Sequence, residues 1–277
     1  MSGSKGKSGG GRGRGTTGNA GNSGDDSAEG EGAGERRRRR SGPVTKGGDA
    51  RSAKQFHTKV KTARGRKYSS KLWLERQLND PYVARAKQDG YRSRAAYKLI
   101  ELDDKFKLIK PGMRVADLGA APGGWTQVCV RRGAAHVAGV DLLEMEEVSG
   151  AILLTLDFTE PGAEDTLKEA LGGAADLVVS DLAPWTTGHK STDHLRIVAL
   201  VEAAAYFAVD VLKPGGAFAA KVFEGGATAD LLDLLKARFK SVKHYKPPAS
   251  RKGSAETFLV AQGFRQAGSG SDDQEEG

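Results

Sequence analysis

A glycine-rich stretch and two aspartates that follow it are the first candidate functional residues of this chain. The stretch DLGAAPGGW (residues 117–125) has too many glycines for a packed core and too few polar groups for an ordinary loop. Because glycine has no Cβ atom, such a stretch lets backbone N–H groups approach a ligand closely. Asp141 and Asp157 each close a later apolar run, where a carboxylate can accept hydrogen bonds. The pattern predicts a ligand site built on bare backbone and two carboxylates.

Apolar runs alternate with helical patterns along the chain, and this alternation predicts the strands and helices around those candidate residues. Helical spacing from Ser69 to Phe106 is interrupted near Asp80-Pro81 and at Asp89-Gly90, and a long helix leads into a Pro-Gly-Gly turn. Strands are expected at residues 113–119, 135–142, 151–158, 175–184 and 216–223, with a terminal pair at 241–246 and 256–264. We therefore predict an α/β fold with a mostly parallel seven-stranded sheet and helices on both faces.

Such a sheet places the two aspartates at its ligand-binding edge, beyond the carboxyl ends of the strands. Asp141 is then positioned to accept hydrogen bonds from two ribose hydroxyls, and Asp157 could meet an adenine edge. These features alone do not distinguish a dinucleotide from S-adenosylmethionine, and a tight structural turn is a further alternative. The spacing GAAPGG departs from the GxGxxG pattern of dinucleotide sites, which favours a nucleoside without a pyrophosphate.

Six motifs follow one another in an order that is similar to a known enzyme family. They are RSRAAYKL (92–99), PGMRVADLGAAPGGW (111–125), VDLL (140–143), SDLAP (180–184), LKPGGAFAAKVF (212–223) and SRKGSAETF (250–258). Together they resemble the FtsJ-type ribosomal RNA ribose 2′-O-methyltransferases, over roughly residues 69–264. The resemblance implies a Rossmann-like class I methyltransferase fold that binds S-adenosyl-L-methionine.

The resemblance also assigns site residues. The family's catalytic Lys-Asp-Lys-Glu tetrad falls on Lys98, Asp181, Lys221 and Glu256. Its cofactor contacts fall on Gly123, Trp125, Asp141, Asp157 and Asp181, so that residues 119–124 accommodate the methionine part beside Trp125. No clustering of Cys and His residues indicates a metal site.

The reaction explains why such a tetrad is needed. Methyl transfer from a sulfonium is an in-line displacement, and a ribose hydroxyl is a poor nucleophile that must be aligned and relieved of its proton. An ammonium at Lys98 would favour the neutral form of Lys221, whereas Asp181 and Glu256 would favour the charged form. Lys221 is thus either a true base or an electrostatic guide for the hydroxyl oxygen.

Charge and composition suggest an acidic partner and divide the chain. The net charge is +8; residues 51–76 carry nine Lys or Arg and one acid, and residues 236–252 carry seven and none. Aromatic side chains lie between these cations, and the combination of positive charge with aromatic rings that can stack on bases is expected for RNA binding. We predict a disordered basic arm (1–50, including Arg36–Arg40), an RNA-contacting lead-in (51–68), the methyltransferase domain (69–264) and a loose acidic tail (265–277).

The expected function follows from the resemblance: 2′-O-methylation of a uridine ribose in 23S rRNA on the assembled large ribosomal subunit. Methylation of a tRNA anticodon loop, and a non-catalytic RNA-binding role in ribosome assembly, are the alternatives. Cys129 is the only cysteine and no apolar run approaches the roughly 20 residues of a membrane span, so we expect a cytoplasmic protein. We also expect it to be monomeric. Trp185, where the family pattern has asparagine, leaves the shape of the substrate mouth open.

Overall fold

The computed structural model describes residues 68–184, 188–223 and 226–266. The predicted basic arm, nearly all of the lead-in, Trp185 and the tail from residue 267 lie outside the described residues. Within the described part of the chain, no helix has the length and apolar character needed to cross a membrane.

Three helices precede the sheet, and they end where the sequence predicts interruptions. They are α1 (Tyr68–Leu78), α2 (Pro81–Gln88) and α3 (Ala96–Phe106). The Asp80 side chain caps α2 by accepting from the N–H of Tyr82 at 3.0 Å. Pro81 fits the first helical position, because the N–H that proline lacks would have no partner there.

A seven-stranded sheet forms the centre of the fold, which confirms the predicted class. Its strands are β1 (Arg114–Leu118), β2 (His136–Asp141), β3 (Ile152–Thr155), β4 (Ala175–Ser180), β5 (Leu212–Phe223), β6 (Phe239–Tyr245) and β7 (Glu256–Phe264). Their spatial order is β3-β2-β1-β4-β5-β7-β6. β1 to β5 run parallel to one another, and β7 is antiparallel to both of its neighbours.

Helices cover both faces of this sheet because its central strands are apolar on both sides. The remaining helices are α4 (Gly124–Arg131), α5 (Ala163–Leu171), α6 (Lys190–Val211) and α7 (Ala229–Arg238). In β4, Val178 packs into one apolar cluster with α5, α6 and α7, while Leu177 and Val179 pack into a second with α3 and α4. Neighbouring residues of a strand point to opposite faces, so a continuous apolar run serves both clusters.

The strand ends differ from the prediction most at β3, β4 and β5. β3 ends at Thr155 instead of residue 158, so Asp157 lies in the loop that follows it. β4 stops at Ser180, so residues 181–184 form a loop. β5 begins at Leu212 instead of residue 216, and its pairing jumps from Leu212–Ala175 to Ala217–Leu177. The Pro-Gly-Gly segment thus bulges out of the ladder, since Pro214 has no N–H to donate to it.

Two features of the topology create the ligand-binding edge. The chain runs outward from β1 to β3 and then returns to the other side of β1 as β4, so a crevice opens between the ends of β1 and β4. The antiparallel β7 starts where the parallel β5 finishes, with Glu256 opposite Phe223. The first residue of β7 therefore lies at the same edge as the last residues of β1 to β5.

Candidate active site

Four charged side chains from four elements meet at this edge. Lys98 lies in α3, Asp181 follows β4, Lys221 lies near the end of β5 and Glu256 begins β7. The Nζ atom of Lys98 is 2.7 Å from Glu256 Oε2 and 3.5 Å from Asp181 Oδ2. The Nζ atom of Lys221 is 2.9 Å from Asp181 Oδ1 and also donates to the Asp181 carbonyl at 2.7 Å. The structure thus brings together all four residues expected to form the tetrad.

The two lysines of the tetrad are buried, its two acids are partly buried, and the four charges balance. Lys98 and Lys221 are 8% and 7% exposed, and each ammonium pairs with a carboxylate. Burial alone would raise the pKa of Asp181, but the ammonium groups of Lys221 and Lys98 outweigh it and hold that pKa below its usual value. Asp181 therefore stays ionised and bridges the two lysines.

Ser250, in the loop before β7, supports the tetrad by a hydrogen bond to Glu256. Its hydroxyl donates to Glu256 Oε1 at 2.8 Å, while the other carboxylate oxygen faces Lys98. The loop itself is fixed by the Ala249 N–H, which donates to Glu101 at 2.6 Å. Ser250 is the first residue of the SRKGSAETF motif, but only the tertiary contact shows that it orients Glu256.

Asp141 ties the glycine turn to the end of β2. Its two carboxylate oxygens accept from the backbone N–H groups of Ala121 and Leu143, each at 2.9 Å. Each oxygen keeps a second lone pair, so two ribose hydroxyls can still be bound. A Cβ atom at Gly119, where φ is +82°, would lie 2.8 Å from the Leu182 backbone nitrogen. Glycine is required there because the turn and the loop after β4 pass so closely.

Two adjoining cavities run along the strand ends. The outer cavity, of about 480 Å³, contains Asp141 and Asp157 and is otherwise mostly apolar. The inner cavity, of about 380 Å³, runs from Asp141 past Gly119 to Asp181. The Thr159 hydroxyl and backbone N–H both donate to Asp157 Oδ1 and lower the pKa of Asp157, leaving Oδ2 for a ligand. A ligand that occupied both cavities would reach from these acids to the tetrad.

Trp125 and Gly123 occupy supporting positions and line neither cavity. The Trp125 indole is buried, donates to the Ala95 carbonyl at 2.8 Å and packs 5.8 Å from the Phe258 ring. A Cβ atom at Gly123 would lie 2.7 Å from Arg92 Nη1.

Arg92, like Ser250, has a role that only the tertiary contacts reveal. Its guanidinium donates to the carbonyls of Pro122, Glu146 and Glu147 at 3.2, 2.6 and 2.6 Å. It thereby joins the glycine turn to the loop after β2. Glycine at 123 leaves the space that this guanidinium needs.

Asp117 is a buried acid behind the turn. Burial raises its pKa to about 7, a hydrogen bond from Thr126 opposes this, and the charges of Asp181 and Asp141 add to the increase. Thr126 donates to Oδ2 at 2.7 Å, and Oδ1 has no hydrogen-bond partner among the described residues.

The fold and the site define a class of protein: a Rossmann-like α/β enzyme with a nucleoside-sized cleft and a Lys-Asp-Lys-Glu cluster at its end. In the described ranges, no group of three or more His, Cys, Asp or Glu side chains is placed to hold a metal ion.

Comparisons with known proteins narrow this class. A model of the FtsJ-like methyltransferase family matches residues 91–264. The ribosomal RNA large subunit methyltransferase E of Maricaulis maris is 67% identical over 230 residues, which cover 83% of this chain and 82% of that protein. The protein of the same name from Paramagnetospirillum magneticum is 59% identical over 232 residues, covering 81% and 95%.

A solved structure agrees with these relatives. A ribosomal RNA methyltransferase of Plasmodium falciparum is 31% identical, with a TM-score of 0.56 over 63% of this chain and 98% of its own. The chain belongs to the FtsJ-like methyltransferase family. The resemblance inferred from the six motifs is confirmed.

Proposed function

We propose that this enzyme transfers a methyl group from S-adenosyl-L-methionine to the ribose 2′-hydroxyl of a uridine in large-subunit ribosomal RNA. The observation that carries the proposal is Asp181, which bridges Lys98 and Lys221 where the inner cavity ends. Relatives at 67% and 59% identity that are named for large-subunit ribosomal RNA support the substrate class. The assembled subunit is the proposed partner of a monomeric, cytoplasmic enzyme.

The two cavities fit the proposed cofactor. Asp157 would accept from the adenine amino group and Asp141 from the ribose hydroxyls, both in the outer cavity. The methionine part would lie in the inner cavity beside Gly119, where any side chain would collide with Leu182. Gly123 and Trp125, which line neither cavity, would support the glycine turn. When bound, the cofactor supplies an electrophilic methyl group carried on a sulfonium.

The tetrad would align the hydroxyl and handle its proton. Lys98 presents an ammonium group that stabilises negative charge developing on the attacking oxygen, and Lys221, entering the step as a neutral amine, accepts the hydroxyl proton while the methyl group leaves the sulfonium for that oxygen. Asp181 and Glu256 hold those groups in place, since each carboxylate lies within 3 Å of a lysine. Burial of the two lysines lowers the local dielectric constant, which strengthens these interactions. Lys221 is the residue for which we propose direct contact with the 2′-oxygen.

A substrate panel tests the proposal. Full-length protein is incubated with methyl-labelled S-adenosylmethionine and, separately, with large subunits lacking the modification, free 23S rRNA and tRNA. We expect label on the subunits at a single 2′-O-methyluridine. Label on tRNA would favour the anticodon-loop alternative. Binding to subunits without methyl transfer would favour a non-catalytic assembly role.

A further inference from the structure

A third cavity, which the cofactor and tetrad do not use, lies on the other side of Glu256. It measures about 530 Å³ and opens between α1, the start of α2 and the loop before β7; we name it the flank cavity. Ser250 lines it and donates to Glu256, which in turn contacts Lys98. The flank cavity is therefore separated from the tetrad by a single hydrogen-bonded side chain.

Positive charge dominates the lining of the flank cavity. Four lining side chains are cationic and two are acidic: Arg76, Arg94, Arg251 and Lys252, against Glu75 and Asp80. The Asp80 carboxylate is only 8% exposed, and it faces Arg94 Nε at 2.8 Å and Arg251 Nε at 3.5 Å. One carboxylate cannot neutralise two guanidiniums, so the wall of the cavity keeps an excess of positive charge.

The cationic side chains of the flank cavity differ in how freely they can turn toward a ligand. Arg94 is held on two sides, because it pairs with Asp80 and also donates to the Ala249 carbonyl. The Arg251 side chain is 40% exposed and Lys252 is exposed, so both can turn toward an anion. Guanidinium and ammonium groups at the rim of a concave site suit phosphate oxygens.

We propose that the flank cavity binds the phosphodiester next to the methylated ribose, with Arg251 and Lys252 as its contacts. The inference rests on the proposed function, because it takes the ribose of an RNA strand to face Lys221 and the strand to continue past Glu256. Tyr82 and Pro248 offer apolar surface in the same cavity for the neighbouring sugar and base. The cavity would thus fix the register of the RNA strand relative to the tetrad.

Neutralising variants of the full-length chain test this site. Arg251→Gln/Lys252→Gln is compared with Lys107→Gln/Lys110→Gln, a matched pair of exposed lysines between α3 and β1 that lie outside the flank cavity and outside both basic stretches. Binding of a fluorescently labelled oligouridylate is followed by anisotropy across a salt series. Two lost phosphate contacts should reduce the magnitude of the log–log slope by about 1.4, since each contact to a single strand contributes about 0.7. The Lys107/Lys110 control pair should keep the wild-type slope.

The outcomes separate this inference from the proposed function. Cofactor affinity, measured by calorimetry, should be the same in both double variants and wild type. A wild-type slope in Arg251→Gln/Lys252→Gln, or an equal reduction in the Lys107/Lys110 control pair, would overturn the flank cavity as a specific phosphate site. If the cavity-dependent slope is found but wild-type protein methylates neither subunits nor rRNA, the proposed function fails and the phosphate site remains.

Discussion

Replacing Lys221 by methionine should separate binding from chemistry. Methionine keeps the length and apolar stem of the lysine but removes the ammonium that contacts both Asp181 Oδ1 and the Asp181 carbonyl. Methyl transfer under single-turnover conditions should fall about 10²–10⁴-fold, the range for a lost acid–base group. This corresponds to about 3–5 kcal/mol of transition-state stabilisation. Cofactor affinity should not change, because Lys221 lines neither the outer nor the inner cavity.

The same substitution should reduce stability in a way that the structure bounds. Removing one partner of a buried ion pair typically costs about 3–5 kcal/mol. Asp181 keeps the ammonium of Lys98 at 3.5 Å, so we expect the lower end, about 3 kcal/mol, by urea denaturation. The loss of Lys221 should also raise the pKa of Asp181, whose ionised form that lysine stabilises.

A lysine at the opposite end of the same strand provides the control. Lys213 of β5 pairs with Asp176, but its side chain is 52% exposed. Because exposed pairs contribute at most about 1 kcal/mol, Lys213→Met should leave both methyl transfer and stability close to wild type. Near-wild-type turnover in folded Lys221→Met would refute the role assigned to Lys221. An equal loss in Lys213→Met would show that the assay reports general damage.

Three further predictions concern the cofactor, the buried acid and the orientation of Glu256. Asp141→Ala should weaken S-adenosylmethionine binding by about 1–3 kcal/mol in calorimetry, because the ribose hydroxyls lose their acceptor and the glycine turn and the loop after β2 each lose one backbone contact. Asp117 ionises near pH 3.8 when unfolded and near 7 when folded, so its stabilising contribution is complete below about pH 4 and is lost as the pH rises through 7. Wild type should therefore lose about 2–3 kcal/mol more stability than Asp117→Asn between pH 5 and pH 8, measured by denaturation without cofactor. Ser250→Ala should lower kcat up to about tenfold with an unchanged KM for cofactor, and Ser250→Thr, which keeps the hydroxyl, should restore it.

Each of these predictions has an outcome that would contradict it. Wild-type cofactor affinity in Asp141→Ala would remove Asp141 from the site. Parallel stability curves for wild type and Asp117→Asn would show that Asp117 ionises in the fold as it does in the unfolded chain. A Ser250→Thr variant as slow as Ser250→Ala would indicate that packing, not the hydroxyl, is what matters at this position.

The sequence alone was sufficient for the order of the elements and for the family. Apolar runs that serve both faces of a sheet, such as ADLVVS of β4, are visible in one dimension because both faces of a central strand are buried. The interruptions at Asp80-Pro81 and Asp89-Gly90 could be predicted because proline and glycine act locally on the backbone. The motif residues Lys98, Asp181, Lys221 and Glu256 could be matched one by one, but only as separate positions.

Tertiary structure decided which of these positions touch, and through which partners. Lys98 and Glu256 are separated by 158 residues, and their 2.7 Å contact exists because β7 is antiparallel and begins at the edge where β5 ends. Strand direction depends on hydrogen bonds between distant segments, which no local pattern records. For the same reason Ser250 behind Glu256 and the two arginines on Asp80 emerged only from the folded chain. The sequence determines the chemical type of each site residue. The distances between these residues, their burial and their charge balance arise only when the sheet brings its strand ends together.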